Sequence, residues 1–217
     1  MQKTISAVAV MGLAFVVGCQ TPGYKEATKT TNSLADVKTE LITDKANLRN
    51  AVDSLNDLVY RPADDLRPQY TKFADAVTAL DKSTESSRVS ARNMIADREA
   101  YLSKWRADIA MMTDPDLRMR ANDRIADTTE TFKSLSSKLN DASNAVTPLV
   151  GDLKAIKVFV GNDLTANGIK IISDRATNAK NQSIYANGKL DAAIVEVDKV
   201  SDTLAPMAST QPTGETK

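Results

Sequence analysis

Leucines spaced by seven set the first pattern in this chain: Leu34, Leu41, Leu48 and Leu55, with Val37, Asp44, Ala51 and Leu58 interleaved. Alternating steps of three and four put all eight on one side of a helix, a heptad seam with one acidic defect at Asp44. The two prolines of "YRPADDLRP" (60–68) end that helix. A second helix is predicted over about 68–112, with Tyr70, Phe73, Val77, Leu80, Thr84, Ser87, Ala91, Met94, Arg98, Tyr101 and Trp105 on its seam. Its middle, "KSTESSRVSA", is small and polar, which implies either closely approaching backbones or a locally looser bundle.

"TDPDLR" (113–118) places Asp114 before Pro115, an N-cap followed by a proline in the first helical turn. The third seam then runs through Ala121, Ile125, Thr128, Phe132, Leu135, Leu139, Ala142 and Val146. It keeps its spacing past Pro148 to Leu149, Leu153, Ile156 and Val160, so a kink is expected there rather than a stop. "VGNDLTANG" (160–168) reads as a helix end, with Asp163 as the expected cap of the next helix. A fourth seam continues from Ile169 to Leu204.

Four segments of matched length joined by short connections predict an all-α fold of long antiparallel helices, an up-down four-helix bundle or paired helical hairpins with coiled-coil-like packing. The expected organisation is a signal segment at 1–18, a lipidated N-terminus and flexible tether at 19–33, the helical bundle at 34–205 and a disordered tail at 206–217.

The N-terminus changes the picture. Lys3 precedes the apolar run "ISAVAVMGLAFVVG" (5–18), whose length suits a signal peptide and falls short of a spanning helix. The run ends in Val16-Val17-Gly18-Cys19, which resembles the lipobox of bacterial lipoproteins. Cys19 is the single cysteine of the chain. The resemblance implies that it receives a diacylglycerol, that cleavage occurs just before it, and that its new amine is acylated, which gives stable attachment to a bilayer. Gln20 and Thr21 come next, with no aspartate beside the cysteine, so the proteobacterial sorting rule implies the outer membrane, facing the periplasm.

Composition then narrows the function. Basic and acidic residues are equal at 28 each, without the basic excess of a nucleic-acid binder. Histidine is absent, and with Cys19 acylated neither imidazole nor thiolate chemistry is left for a triad or a zinc site. No catalytic, cofactor-binding or metal-ligating residue is expected, and the acidic pairs Asp64-Asp65, Asp114/Asp116 and Asp152/Asp163 read as caps or solvated groups. Asp44 and Arg98 both occupy seam positions. They either pair across the first two helices or, as the favoured reading, snorkel out of a narrow seam.

The stretches "LRPQYTKFADAV", "YLSKWRADIAMM", "DPDLRMRANDRI", "AVTPLVGDLKAIKVFVGNDLTANGI" and "LDAAIVEVDKV" together resemble the bacterial helical family called domain of unknown function 2959, over roughly residues 30–205. Shared features are a tryptophan late in the second helix (Trp105), a leucine-arginine pair after the turn (Leu117-Arg118), and a proline before an apolar run ending near Leu164. The sequence departs from the family at "VGND" and at Thr165, which stands where an asparagine is usual. The resemblance implies a fold and a setting but no reaction. Some relatives carry a DNA-repair ATPase label, yet "ANGIK" and "ANGKL" lack the glycine and hydroxyl residue of a phosphate loop.

The expected function is therefore a membrane-anchored helical scaffold or interaction protein without catalytic activity. Its expected partners are the bilayer, through Cys19, and an envelope protein or peptidoglycan; a second copy of the chain is also open. Lys217 is similar to the terminal lysine that joins Braun-type lipoproteins to peptidoglycan, although the residues before it do not match. The alternative is a small-ligand-binding or enzymatic bundle, with its site beneath the weak seam around Thr84–Ser87.

Overall fold

The computed structural model describes residues 22–204; the Cys19 and Lys217 readings lie outside the described residues. Five helices succeed one another: α1 (Pro22–Tyr60), α2 (Arg67–Ala110), α3 (Pro115–Asn162), α4 (Ala166–Ile171) and α5 (Ser173–Leu204). There is no strand among the described residues. None of these helices is long and apolar enough to cross a membrane.

The helix ends obey local chemistry. Asp114 Oδ1 accepts from the backbone N–H of Asp116 at 2.9 Å and of Leu117 at 3.0 Å, which satisfies two orphan donors at the start of α3. α3 runs through Pro148 without interruption. Pro148 and Asn144 are both exposed, so water can solvate the Asn144 carbonyl that lacks a proline N–H to accept from. At the next junction Asp163 closes α3, while the cap of α4 is Thr165, whose Oγ1 accepts from Gly168 N at 3.1 Å. The cap expected at Asp163 is thus supplied two residues later. Asp163 instead accepts from the Thr165 hydroxyl at 2.7 Å and holds that side chain in place.

α1 packs against α2 and α5, and α3 packs against the same two helices. Every one of these contacts is antiparallel. Lys38 and Lys45 of α1 pair with Asp198 and Asp191 of α5, Lys154 of α3 pairs with Asp81 of α2, and Lys189 of α5 pairs with Asp141 of α3. The result is a closed up-down-up-down bundle, the first of the architectures expected from the seams. Its core contains Leu34, Leu41, Leu48, Leu55, Phe73, Leu80, Phe132, Leu135, Leu153 and Leu190, and the seam residues of α4 and α5 from Ile169 to Val200 are all buried.

Two features depart from the expected layout. α1 begins at Pro22, so the stretch expected to be a polar tether up to residue 33 is largely helical. Two of its polar residues are buried by pairing: Thr30 Oγ1 donates to the Asp97 carbonyl at 3.3 Å and Ser33 Oγ donates to the Asp97 carboxylate, which the exposed Lys29 bridges at 2.8 Å. Burial acts to raise the Asp97 carboxyl, but Lys29 and Ser33 together hold it below the usual range. The second departure is that α2 and α3 continue beyond the other helices as a hairpin. This hairpin has its own small core of Leu102, Ile109 and Ile125, with Tyr101, Trp105 and Ala121 against it.

Candidate functional site

Asp44 is the one carboxylate in the α1 seam, and neither expectation for it holds. It does not pair with Arg98 and it does not reach solvent: it is 3% exposed. Arg98 lies elsewhere, its guanidinium 6.0 Å from the centre of the Phe132 ring, bonded to Glu99 and to Ser136 Oγ at 3.5 Å. Its Nε is buried with no partner in the protein. The helices do not allow the pair, because Asp44 stands level with Ser87, three turns along α2 from Arg98.

The Asp44 carboxylate receives one hydrogen bond, from Ser87 Oγ to Oδ2 at 2.6 Å, while Oδ1 has no partner in the protein. Nearby, Ser83 Oγ donates to the Leu80 carbonyl at 3.2 Å. Burial pushes the Asp44 carboxyl above its ordinary value, with Glu40 adding to the shift and Ser83, Ser87 and Arg88 opposing it.

Beside the carboxylate lies a cavity of about 70 Å³ lined by Leu41, Thr84, Ser87, Ala91, Leu139, Ala142, Ser143, Val146 and Leu190. The sequence explains it. Large side chains such as Leu48, Leu80, Met94 and Leu149 fix the distance between helices above and below, whereas this layer carries mostly small ones. The space between them stays unfilled. Arg88 spans the mouth from α2 to α3, donating to Thr147 Oγ1 at 2.9 Å and to Glu85 at 3.3 Å. The weak seam therefore does enclose space, at the place where the "KSTESSRVSA" pattern put it. Nothing in the heptad pattern signals that Asp44 is drawn into it.

A wider, open cleft of about 920 Å³ lies at the far end of the bundle, between the α1–α2 loop and α4. Asp64 and Asp65 line it. Asp65 accepts from the Arg67 backbone N–H at 3.0 Å and from its guanidinium at 2.9 Å, which holds the Asp65 carboxyl below its ordinary value. These acids behave as the solvated, locally bonded groups expected of them. No group of three or more His, Cys, Asp or Glu residues able to hold a metal occurs among the described residues. Trp105 stacks at a tilt on Tyr101, with ring centres 5.6 Å apart, as part of the hairpin core.

Residues 22–204, the span of the five helices, match the family described as protein of unknown function (DUF2959). The chain belongs to the DUF2959 family. The match covers the whole bundle and includes the first turns of α1, so the DUF2959 unit begins three residues after Cys19. No curated protein and no solved structure matches the chain. Within this DUF2959 fold, Trp105 anchors the hairpin, Leu117 is exposed beyond it, and Thr165 serves as a helix cap.

Proposed function

We propose that this DUF2959 member is a bacterial lipoprotein, acylated on Cys19 and held at the outer membrane, whose helical bundle acts in the periplasm as a scaffold or interaction domain and not as an enzyme. The observation that carries the reading is the lipobox-like Val16-Val17-Gly18-Cys19 placed three residues before a long closed bundle. A lipid anchor so close to a stiff body fixes the body against the bilayer instead of letting it roam. At 1.5 Å per residue, the 48 residues of α3 extend about 72 Å from that surface, far enough to meet a partner in the envelope. The absence of histidine and the use of the single thiol for lipid are consistent with a non-catalytic role.

The test is metabolic labelling with a palmitate analogue, together with photo-cross-linking from exposed positions on α2 and α5 before and after peptidoglycan digestion. The reading expects label on the native chain and none on a Cys19→Ser variant. It also expects cross-links either to a discrete envelope protein or to material released by digestion. An unlabelled native chain would refute the anchor, and a native chain without cross-links of either kind would refute the scaffold.

The Asp44 cavity favours a second reading, a bundle that binds a small polar guest beside a buried carboxylate. About 70 Å³ leaves room for roughly two waters or a guest of a few heavy atoms. Titrating the folded chain with ammonium and simple alkylammonium ions by calorimetry tests it; saturable heat that an Asp44→Asn variant lacks is the supporting result.

A further inference from the structure

The α2–α3 turn exposes an apolar group that the bundle does not use. Met111 is 73% exposed, Leu117 59%, Met119 58% and Met112 37%. Every residue from 110 to 120 is exposed, so these side chains share one uncovered tip. We propose that this tip is a second membrane contact, inserting Met111, Met112, Leu117 and Met119 into the interface of the bilayer that carries Cys19. The inference rests on the acylation of Cys19 and adds a site and an orientation to it.

Geometry places the tip at the lipid. Thr30 of α1 lies beside Asp97 of α2. From that level α2 continues to Ala110, about 20 Å further, while α1 runs back to Pro22, about 12 Å in the same direction. The turn thus projects about 8 Å past the first residue of α1. The three residues from Cys19 to Pro22 span at most about 10 Å in any conformation. The surface holding the acyl chains therefore lies no more than about 10 Å beyond Pro22, a range that includes the level the tip reaches.

The chemistry suits a lipid interface. Methionine is unbranched and polarisable and adapts to fluid surroundings. Arg118 and Arg120 flank Met119 with stems that can lie along the apolar boundary while their heads remain at phosphate level. Of the nearby acids, Asp108 pairs with Lys104, Asp114 is committed to the α3 backbone, and Asp116 is exposed in the first turn of α3, where Arg118 and Arg120 offset its charge. A protein groove could also cover four apolar side chains, but the short reach from Cys19 favours the bilayer.

The test uses the full acylated chain in phosphatidylcholine vesicles containing acyl-chain-brominated lipid. Trp105 is the single tryptophan, so a Trp105→Phe background accepts one probe at a time: Met112→Trp at the tip or Tyr60→Trp at the far end. Circular dichroism checks each fold, and the mass of the N-terminal peptide checks the acylation. Quenching several-fold stronger at position 112 than at position 60 is expected. Equal, weak quenching on an acylated chain overturns the tip contact and leaves the anchor standing. Unquenched but blue-shifted emission at 112, with cross-links between copies, overturns it in favour of self-association. If Cys19 carries no lipid, both the anchor and the contact fall.

Discussion

Replacing Asp44 with leucine should make the bundle more stable, although the residue is buried and hydrogen-bonded. Leucine restores the heptad and extends into the adjacent cavity of about 70 Å³. At about 24 cal/mol per Å³, filling that space contributes about 1.7 kcal/mol. Removing a buried carboxylate oxygen with no partner in the protein contributes about 1–3 kcal/mol more, and the lost hydrogen bond from Ser87 returns about 1.5–3 kcal/mol of that. The net gain is about 1.5 kcal/mol, or roughly 3–6 °C in Tm for a chain of this size.

An Asp44→Asn variant isolates the charge. Burial raises the folded pKa of Asp44 above 3.8, so the folded state holds the proton more tightly than the unfolded chain does. The cost of ionisation is absent below the unfolded value and complete above the folded one. The advantage of asparagine should therefore be full above the folded pKa, shrink as the pH falls through it, and vanish below about pH 3.8. Urea unfolding tracked at 222 nm across that range measures both effects. If leucine destabilises the bundle, or if the asparagine gain does not vary with pH, the carboxylate is not the unfavourable buried charge described here.

Glycines provide a contrasting set. A Cβ at Gly151 or Gly188 would meet nothing within 4 Å, so alanine at either helical site should stabilise by about 0.5–1 kcal/mol, visible as a higher urea midpoint. A Cβ at Gly168 would fall 2.2 Å from the Asp163 carbonyl oxygen; Gly168→Ala should cost about 1–3 kcal/mol, and a neutral result in the same assay would contradict the tight α3–α4 junction. Removing the Thr165 hydroxyl in Thr165→Ala should cost about 1 kcal/mol through the lost cap, measured by thermal unfolding. Phe132→Ala, at a fully buried core position, should cost about 3–5 kcal/mol, with a matching fall in Tm.

The heptads made most of this fold legible. All eight seam residues of α1 are buried, including Asp44, as are the seam positions from Ile125 to Val160 apart from Leu139, which is half-buried. Periodicity succeeds here because one continuous core rewards the same face of every helix. It failed at the start of α1, where Thr30 and Ser33 are buried through hydrogen bonds to Asp97, a partner 64 or more residues away that no local pattern reveals. It also missed Leu102. The seam was carried through Tyr101, but Arg98 interrupts the apolar run after Met94, and the buried face resumes one position later in the separate hairpin core. The cavity was partly visible as a run of small residues. Its buried acid was not, because whether a seam carboxylate is drawn inward depends on what the neighbouring helices place opposite it.

The antiparallel pairing of α1 and α5 has a mechanical consequence. Their ion pairs run from Lys38 opposite Asp198 to Lys45 opposite Asp191, so Pro22 and Leu204 leave the bundle at the same end. Tension applied between the two termini would open these helices one rung at a time, the weakest loading geometry for such a pair. Tension between the N-terminus and the far loop at 61–66 would instead load many rungs at once, along the helix axes. A body tethered through its N-terminus thus resists force best when its partner grips the opposite end, beside Asp64 and Asp65, and poorly when the load is carried through Leu204.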